Sequence, residues 1–174
     1  MTTTAPRGGT PDSAFQGVSS VFLGGPFMGL VDSESGRMSD RDCQPFTVLI
    51  EHFERQGLHV YNAHRREAWG AEVMPPDECT ALDQEEIEKA DVFVAIPGIP
   101  PSPGTHIEMG WASAFGKPIV LLLEEGRDED YGFLVRGLRA VATVEYVRCT
   151  DIATALPEVD AAIRRALERL RTAG

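Results

Sequence analysis

The alternation of short apolar segments with helical segments most constrains the fold of this chain. Helical spacing or helix-favouring composition lies between the apolar segments and also follows the last of them. Strands that alternate with helices predict parallel pairing through right-handed crossovers. We therefore predict an α/β fold with a doubly wound, mainly parallel, Rossmann-like sheet and helices on both faces. The predicted strands are 18–23, 58–62, 91–96, 119–123 and 143–147, and the predicted helices are 40–56, 75–90, 105–115, 133–138 and 151–171.

The chain length predicts one globular domain. A chain of 174 residues can bury a single hydrophobic core without a second domain. Residues 1–17 are rich in Thr, Pro, Gly and Ser, so we predict a flexible N-terminal tail there and a single domain over 18–174.

Charge and cysteine content exclude several function classes. Sixteen Lys and Arg against 27 Asp and Glu give a net charge of -11, which argues against binding of a nucleic-acid polymer. The three cysteines, Cys43, Cys79 and Cys149, have no CxxC spacing, so no disulfide framework or zinc site is expected. No apolar leader or run of about 20 apolar residues is present. We expect a cytoplasmic protein that needs neither a membrane nor a metal or organic cofactor.

Three loops follow predicted strands and are expected to meet. Ligands of open parallel sheets bind beyond the carboxyl ends of the strands, where the strand order reverses. The loops at 24–29, 62–70 and 97–104 leave three strand ends in this way. We predict that they form one crevice.

The loop at 97–104 has the composition of an anion site. Ser102, Gly104 and Thr105 place hydroxyl and backbone N–H groups at the start of a predicted helix, whose dipole favours negative charge. An ordinary turn followed by a Thr105 N-cap would look the same.

Two carboxylates are candidates for chemistry near that loop. Glu108 lies among apolar residues of the predicted helix, and an unpaired buried charge is costly, so it is either paired or held for reaction. Asp83 lies on the preceding helix and can reach the same strand ends. Glycosyl transfer uses two carboxylates, a nucleophile and an acid. Asp83 could instead belong to a solvated face with Glu85, Glu86 and Glu88.

The motifs together resemble the nucleoside 2-deoxyribosyltransferase superfamily over about residues 21–123. They are FLGGPF at 22–27, Asp83 followed by ADVFV at 90–94, GTHIEMGWA at 104–112 and GKP at 116–118. Within the superfamily the chain is similar to the CMP and hydroxymethyl-CMP N-glycosidases of mildiomycin and blasticidin S biosynthesis, through YNAHRREAWG at 61–70 and SPGTHIE at 102–108.

The resemblance implies hydrolysis of a pyrimidine nucleoside 5'-monophosphate, CMP above all, to the free base and ribose 5-phosphate, in nucleoside-antibiotic biosynthesis. The choice between CMP and dCMP stays open. Glu108 would be the nucleophile that forms a glycosyl-glutamate intermediate, and Asp83 the second catalytic residue. Ser102 would favour a phosphate where an aspartate would repel it. His64 and Trp69 would frame the base, although His64 could be purely structural. The implied substrate-binding set is Phe22, Gly24, Gly25, Phe27, Met28, His64, Trp69, Ser102 and Gly104.

Two positions depart from the superfamily pattern. Phe22 stands where many members have tyrosine, so a hydroxyl contact is missing there. Met28 stands where the hydroxymethyl-CMP enzyme has arginine, and a thioether is no strong donor, so we predict a preference for plain CMP.

Alternative functions remain open at the sequence level. The covalent intermediate could pass to another base, as in a deoxyribosyltransferase, or the crevice could bind nucleotides without catalysis. The resemblance also implies a homodimer with a shared active site, to which residues 130–136 of one subunit would contribute.

Overall fold

The computed structural model describes residues 15–173. Most of the predicted tail, residues 1–14, lies outside this range. Phe15 lies inside the predicted tail range, yet its side chain is buried in the core, with only 2% of its surface exposed. The packed domain therefore begins at least three residues earlier than predicted, because a single aromatic side chain anchors the chain before the first strand.

One parallel sheet of five strands organises the protein. Its spatial order is β2-β1-β3-β4-β5, and every neighbouring pair is parallel. This confirms the predicted doubly wound α/β fold. The strands are β1 (Ser20–Gly24), β2 (His59–Tyr61), β3 (Val92–Ala95), β4 (Ile119–Glu124) and β5 (Val144–Cys149).

Six α-helices accompany the strands of the described chain. Five correspond to predicted segments, within two residues at every boundary, whereas the four-residue helix after β2 was not predicted. The helices are α1 (Asp40–Arg55), α2 (Ala63–Arg66), α3 (Pro76–Lys89), α4 (Pro103–Ala114), α5 (Phe133–Gly137) and α6 (Ile152–Ala173). No helix within residues 15–173 is both long and apolar enough to cross a membrane.

The two faces of the sheet carry separate hydrophobic cores. Side chains of a strand point alternately to opposite faces, so Val21 and Leu23 of β1 join one core while Phe22 between them joins the other. The first core includes residues of α1 and α6, and the second includes residues of α3 and α4. Both faces are apolar, which explains why the strands are continuous hydrophobic runs rather than alternating ones.

The strand order places the topological switch point of the sheet between β1 and β3. The chain passes from β1 outward to β2 on one side, then returns to β3 on the other side and proceeds to β4 and β5. The register aligns Gly24, the last residue of β1, with Ala95, the last residue of β3. The loops that leave these two strands diverge at this point and open a crevice.

Candidate active site

A cavity of about 470 Å³ opens beyond the carboxyl end of β1. It is bounded by the end of β1 and the loop that follows it, by the start of α2, by one face of α3 and by the first turns of α4. The structure thus brings together most of the residues predicted to form the site. The predicted residues that line the cavity are Phe22, Gly24, Gly25, Phe27, Met28, His64, Asp83, Ser102, Gly104 and Glu108.

The first turns of α4 form one wall of the cavity. Ser102 is the N-cap, and its Oγ accepts hydrogen bonds from the backbone N–H and from the hydroxyl of Thr105. Pro103 occupies the first helical position, where its fixed φ and missing N–H are tolerated. The helix therefore begins two residues before the predicted start, and Thr105 is not the cap. Glu108 consequently lies in the second turn rather than the first, with its side chain in the cavity wall.

Glu108 carries a buried carboxylate oxygen without a partner. Its Oε2 is inaccessible to solvent and has no hydrogen bond to any residue between 15 and 173. Burial, reinforced by the nearby Asp83 charge, raises the pKa of Glu108 to about 8, although the Arg66 charge acts in the opposite direction. A carboxylate held in this condition is a poor structural anchor, and such groups are concentrated at functional sites.

Gly24 allows the Glu108 carboxylate to approach the end of β1. A Cβ atom at position 24 would lie 2.6 Å from Glu108 Oε2, which is far inside contact distance. The absence of a side chain at Gly24 is thus a condition for the observed position of the carboxylate.

Asp83 is buried, in contrast to the acidic residues that surround it in sequence. Only 7% of its surface is exposed, whereas Glu85 and Glu88 on the same helix are exposed. Its Oδ1 accepts a hydrogen bond of 2.7 Å from Arg66 Nη2, and its Oδ2 accepts a weaker one of 3.4 Å from Cys79 Sγ. The interpretation of Asp83 as part of a solvated acidic face is therefore wrong.

His64 is held by hydrogen bonds on both ring nitrogens. Nε2 lies 2.9 Å from the carbonyl oxygen of Pro26, and Nδ1 lies 3.1 Å from the side-chain amide nitrogen of Asn62. Nε2 thus donates and Nδ1 accepts in the neutral ring, and burial lowers the His64 pKa to about 4. The ring also stacks on Phe46 at a centroid distance of 4.0 Å. The structural interpretation of His64 is favoured, since both ring nitrogens are already hydrogen-bonded within the protein.

Trp69 does not line the cavity. Its ring lies 6.3 Å from the His64 ring and packs at the margin of the α1 and α6 core. The structure therefore does not support the prediction that Trp69 frames the base directly. Trp69 instead neighbours His64, which does line the cavity.

The remaining predicted residues shape the apolar side of the cavity. Phe22 is fully buried and stacks on Phe93 with a centroid distance of 5.6 Å and nearly parallel rings. Met28 is 59% exposed and lies in a short 3-10 helix at Met28–Leu30. Gly25 has no room for a side chain, because a Cβ atom there would overlap the ring of Phe46. No group of three or more potential metal ligands occurs in the described part of the chain.

The solved structures that are similar to this chain include two with substantial sequence identity. The first, the solution structure of BlsM, shares 70% sequence identity, covers 89% of this chain and 95% of its own, and has a TM-score of 0.79. The second, the CMP N-glycosidase BcmB of Clostridium botulinum, shares 37% identity, covers 82% of this chain and 99% of its own, and has a TM-score of 0.62.

This chain belongs to the family of BlsM and BcmB. Neither protein-family models nor curated protein sequences gave a match. The two structures confirm the resemblance that the motifs indicated.

The cavity of this member of the BlsM and BcmB family is also lined by residues that the sequence did not predict. The cavity lining also includes Cys79, Thr80, Ile107 and Trp111. Arg66 lies outside this lining and contacts Asp83. Cys79 and Asp83 are four residues apart on α3 and thus share a helix face, a spacing that could have revealed the thiol. No local signal could have revealed the Arg66 contact, because it depends on how α2 and α3 pack.

Proposed function

We propose that this chain hydrolyses the N-glycosidic bond of CMP to give cytosine and ribose 5-phosphate. The observation that carries the proposal is the buried, unpartnered Oε2 of Glu108 in a cavity whose wall is the N-terminus of α4. The family supports the choice of substrate, since BcmB is a CMP N-glycosidase. Membership also suggests a role in nucleoside-antibiotic biosynthesis, as the sequence resemblance implied.

The proposed reaction has two displacements at C1'. Glu108, in its ionised form, attacks C1' and forms an ester while the bond to cytosine N1 breaks, and the departing base takes the electron pair and a proton. Water then attacks C1', releases ribose 5-phosphate and restores the Glu108 carboxylate, while its proton passes to solvent. Two inversions give overall retention. Asp83, either directly or through water, assists the proton transfer.

The phosphate is proposed to bind at the start of α4. Ser102, Gly104 and Thr105 all line the cavity there, and the helix dipole favours an anion at this end. Ser102 brings no negative charge of its own to repel the phosphate. The short distance along the helix from Ser102 to Glu108 suits a substrate whose 5'-phosphate and C1' lie at opposite ends of one ribose.

The test is product analysis of the purified protein with a panel of nucleoside monophosphates and nucleosides. We expect cytosine and ribose 5-phosphate from CMP, with the β-anomer formed first, and little release from cytidine. Glu108→Gln should abolish turnover while the protein stays folded. Full activity of Glu108→Ala would contradict the proposal, and transfer to an added acceptor base would instead indicate a transferase.

Met28 is proposed to bias the site toward unmodified CMP. Its thioether is at the rim of the cavity and offers shape and polarizability but no strong hydrogen-bond donor. We expect higher kcat/KM for CMP than for hydroxymethyl-CMP, and competition between the two substrates in one mixture measures the ratio. A clear preference for the hydroxymethyl form would contradict this assignment.

We also propose that the working protein is a cytoplasmic homodimer. The three cysteines are free thiols, which suits a reducing compartment. Phe133 and Leu134, which we call the α5 patch, are 85% and 84% exposed, and large exposed apolar side chains mark interaction surfaces. The start of α5 is close to α4, since a Cβ atom on Gly132 would lie 3.5 Å from His106 Cε1. A second subunit on this patch would thus be near the cavity, as expected for residues 130–136.

A further inference from the structure

Arg66, the last residue of α2, lies outside the cavity lining and contacts three carboxylates. Its two terminal nitrogens lie 2.7 Å from Asp83 Oδ1, 2.7 Å from Glu86 Oε2 and 3.4 Å from Glu67 Oε1. The side chains of Asp83 and Glu67 are only 9% and 2% exposed. One guanidinium thus compensates a cluster of acids that water solvates poorly, and an uncompensated buried charge is strongly unfavourable.

The same cluster fixes the orientation of the Asp83 carboxylate. Arg66 donates to one of its oxygens, and the Cys79 thiol, with one proton to donate, lies 3.4 Å from the other oxygen and 3.5 Å from Glu67 Oε1. Burial and the Asp83 charge raise the pKa of Cys79 to about 12, so the sulfur keeps its proton and remains a donor. The Asp83 carboxylate is therefore oriented at the cavity wall mainly by Arg66, with the thiol as a weaker second contact.

We propose that Arg66 is a positioning residue for catalysis, which fixes the Asp83 carboxylate and supplies the positive charge that offsets it beside Glu108. This inference rests on the proposed function only where it is tested by the release of cytosine from CMP. Arg66 does not line the cavity, and it acts through Asp83 and through its field at Glu108.

The direction of the effect on Glu108 follows from the charges that face it. Asp83 on α3 disfavours the ionised form, and Arg66 on α2 favours it. Cys79 and His64 also line the cavity, but they are neutral, because the Cys79 pKa is about 12 and the His64 pKa about 4. Without Arg66 the repulsion by Asp83 is no longer offset, so the Glu108 pKa rises further.

The test compares Arg66→Gln and Arg66→Lys with a control arginine. Arg165 is a matched control because it also joins two carboxylates, the buried Glu145 and the exposed Glu158, far from the cavity lining. For cytosine release from CMP, we expect Arg66→Gln to lower kcat about 30-fold and to move the acid limb of the pH profile upward by about half a unit or more. Arg66→Lys keeps the positive charge but loses the planar guanidinium that contacts several carboxylates at once. We therefore expect the acid limb of the pH profile to stay in place and kcat to fall only several-fold. Arg165→Gln should leave both unchanged.

A double variant tests whether Arg66 acts through Asp83. In an Asp83→Asn background, which also relieves the charge imbalance and so protects folding, Arg66→Gln should reduce kcat by no more than about threefold. A full additional loss there would overturn the inference. The inference would also fail if Arg66→Gln lowered the Tm to the same extent as Arg165→Gln but left kcat and the pH profile unchanged.

An NMR titration separates this inference from the proposed function. The side-chain carboxyl carbon of Glu108 reports its ionisation without any turnover, and we expect its pKa to be higher in Arg66→Gln than in the unmodified protein. If the unmodified protein released no cytosine, the proposed function would fail. A higher Glu108 pKa in Arg66→Gln would still support the role of Arg66 in offsetting the Asp83 charge. An unchanged titration would reject the role of Arg66 whatever the activity.

Discussion

At the scale of single residues, Glu108 combines burial with the lack of a hydrogen-bond donor. Its pKa rises from an ordinary value of 4.5 to about 8, so between these values the folded protein holds a proton that the unfolded chain has released. The free energy of unfolding therefore falls as the pH rises through this window. Glu108 thus lowers the stability of the fold at alkaline pH, which is characteristic of a functional rather than a structural residue.

Glu108→Gln should consequently stabilise the protein at pH 9. We expect a gain on the order of 1–3 kcal/mol in urea unfolding, because the neutral amide avoids the burial of charge and the repulsion by Asp83. The gain should largely disappear at pH 4, where Glu108 is protonated in both states. A variant that is less stable than the unmodified protein at pH 9 would show that the carboxylate is an essential structural partner.

Gly24 permits a close approach of the β1 backbone to the Glu108 carboxylate. Gly24→Ala places a Cβ atom 2.6 Å from Oε2, so the carboxylate must move, and we expect kcat/KM for CMP to fall at least about 100-fold. Gly110 on α4 is exposed and has free space around it, so Gly110→Ala is the matched control. It should keep full activity and gain about 0.5–1 kcal/mol of stability from the better helix former. Equal activity of the two variants would show that catalysis does not need the missing side chain at Gly24.

At the scale of elements, α4 carries both the proposed phosphate site and Glu108, the proposed nucleophile. Ser102→Asp keeps an N-cap side chain but adds a negative charge where the phosphate is proposed to bind. We expect kcat/KM for CMP to fall about 100-fold or more, while release of cytosine from the uncharged cytidine falls less or rises. Ser102→Thr is the control, since it preserves the cap without a charge. An equal loss for CMP and cytidine would place the phosphate elsewhere.

The elements show where sequence reasoning succeeds and where it stops. Long periodic segments such as α1 and α6 were predicted almost to their ends, because apolar spacing along a helix is a local property. The short helix α2 was missed, since four residues carry too little periodicity to be recognised. The start of α4 was placed at Thr105 rather than Pro103, because Ser102 and Thr105 are both good caps and only the folded chain selects between them.

At the scale of the whole molecule, the pattern of strands and helices predicted the doubly wound sheet and the place of the crevice. What it could not predict depends on tertiary packing. Asp83 is buried in contact with Arg66 of another helix, and Trp69 lies outside the cavity in a segment with positive φ at Ala68 and Trp69. Neither feature leaves a mark in the periodicity of the sequence.

The surface of the whole molecule makes the proposed dimer testable. A net charge of -11 disfavours contact between copies, so an association must be driven by apolar burial at a defined place. The α5 patch presents two of the most exposed large apolar side chains of the described chain. Burying both side chains against a second subunit would remove apolar surface from water, which stabilises the dimer by roughly 25 cal/mol per Å² buried.

Phe133→Asp together with Leu134→Ser should therefore convert the dimer to a monomer in sedimentation velocity. Because the segment is close to α4, we expect the monomer to lose at least about tenfold in kcat/KM for CMP. The matched control is Val73→Asp, which alters an exposed apolar residue between α2 and α3 and should leave both mass and activity unchanged. A monomeric unmodified protein would reject the dimer, and a fully active monomeric variant would show that each subunit holds a complete site.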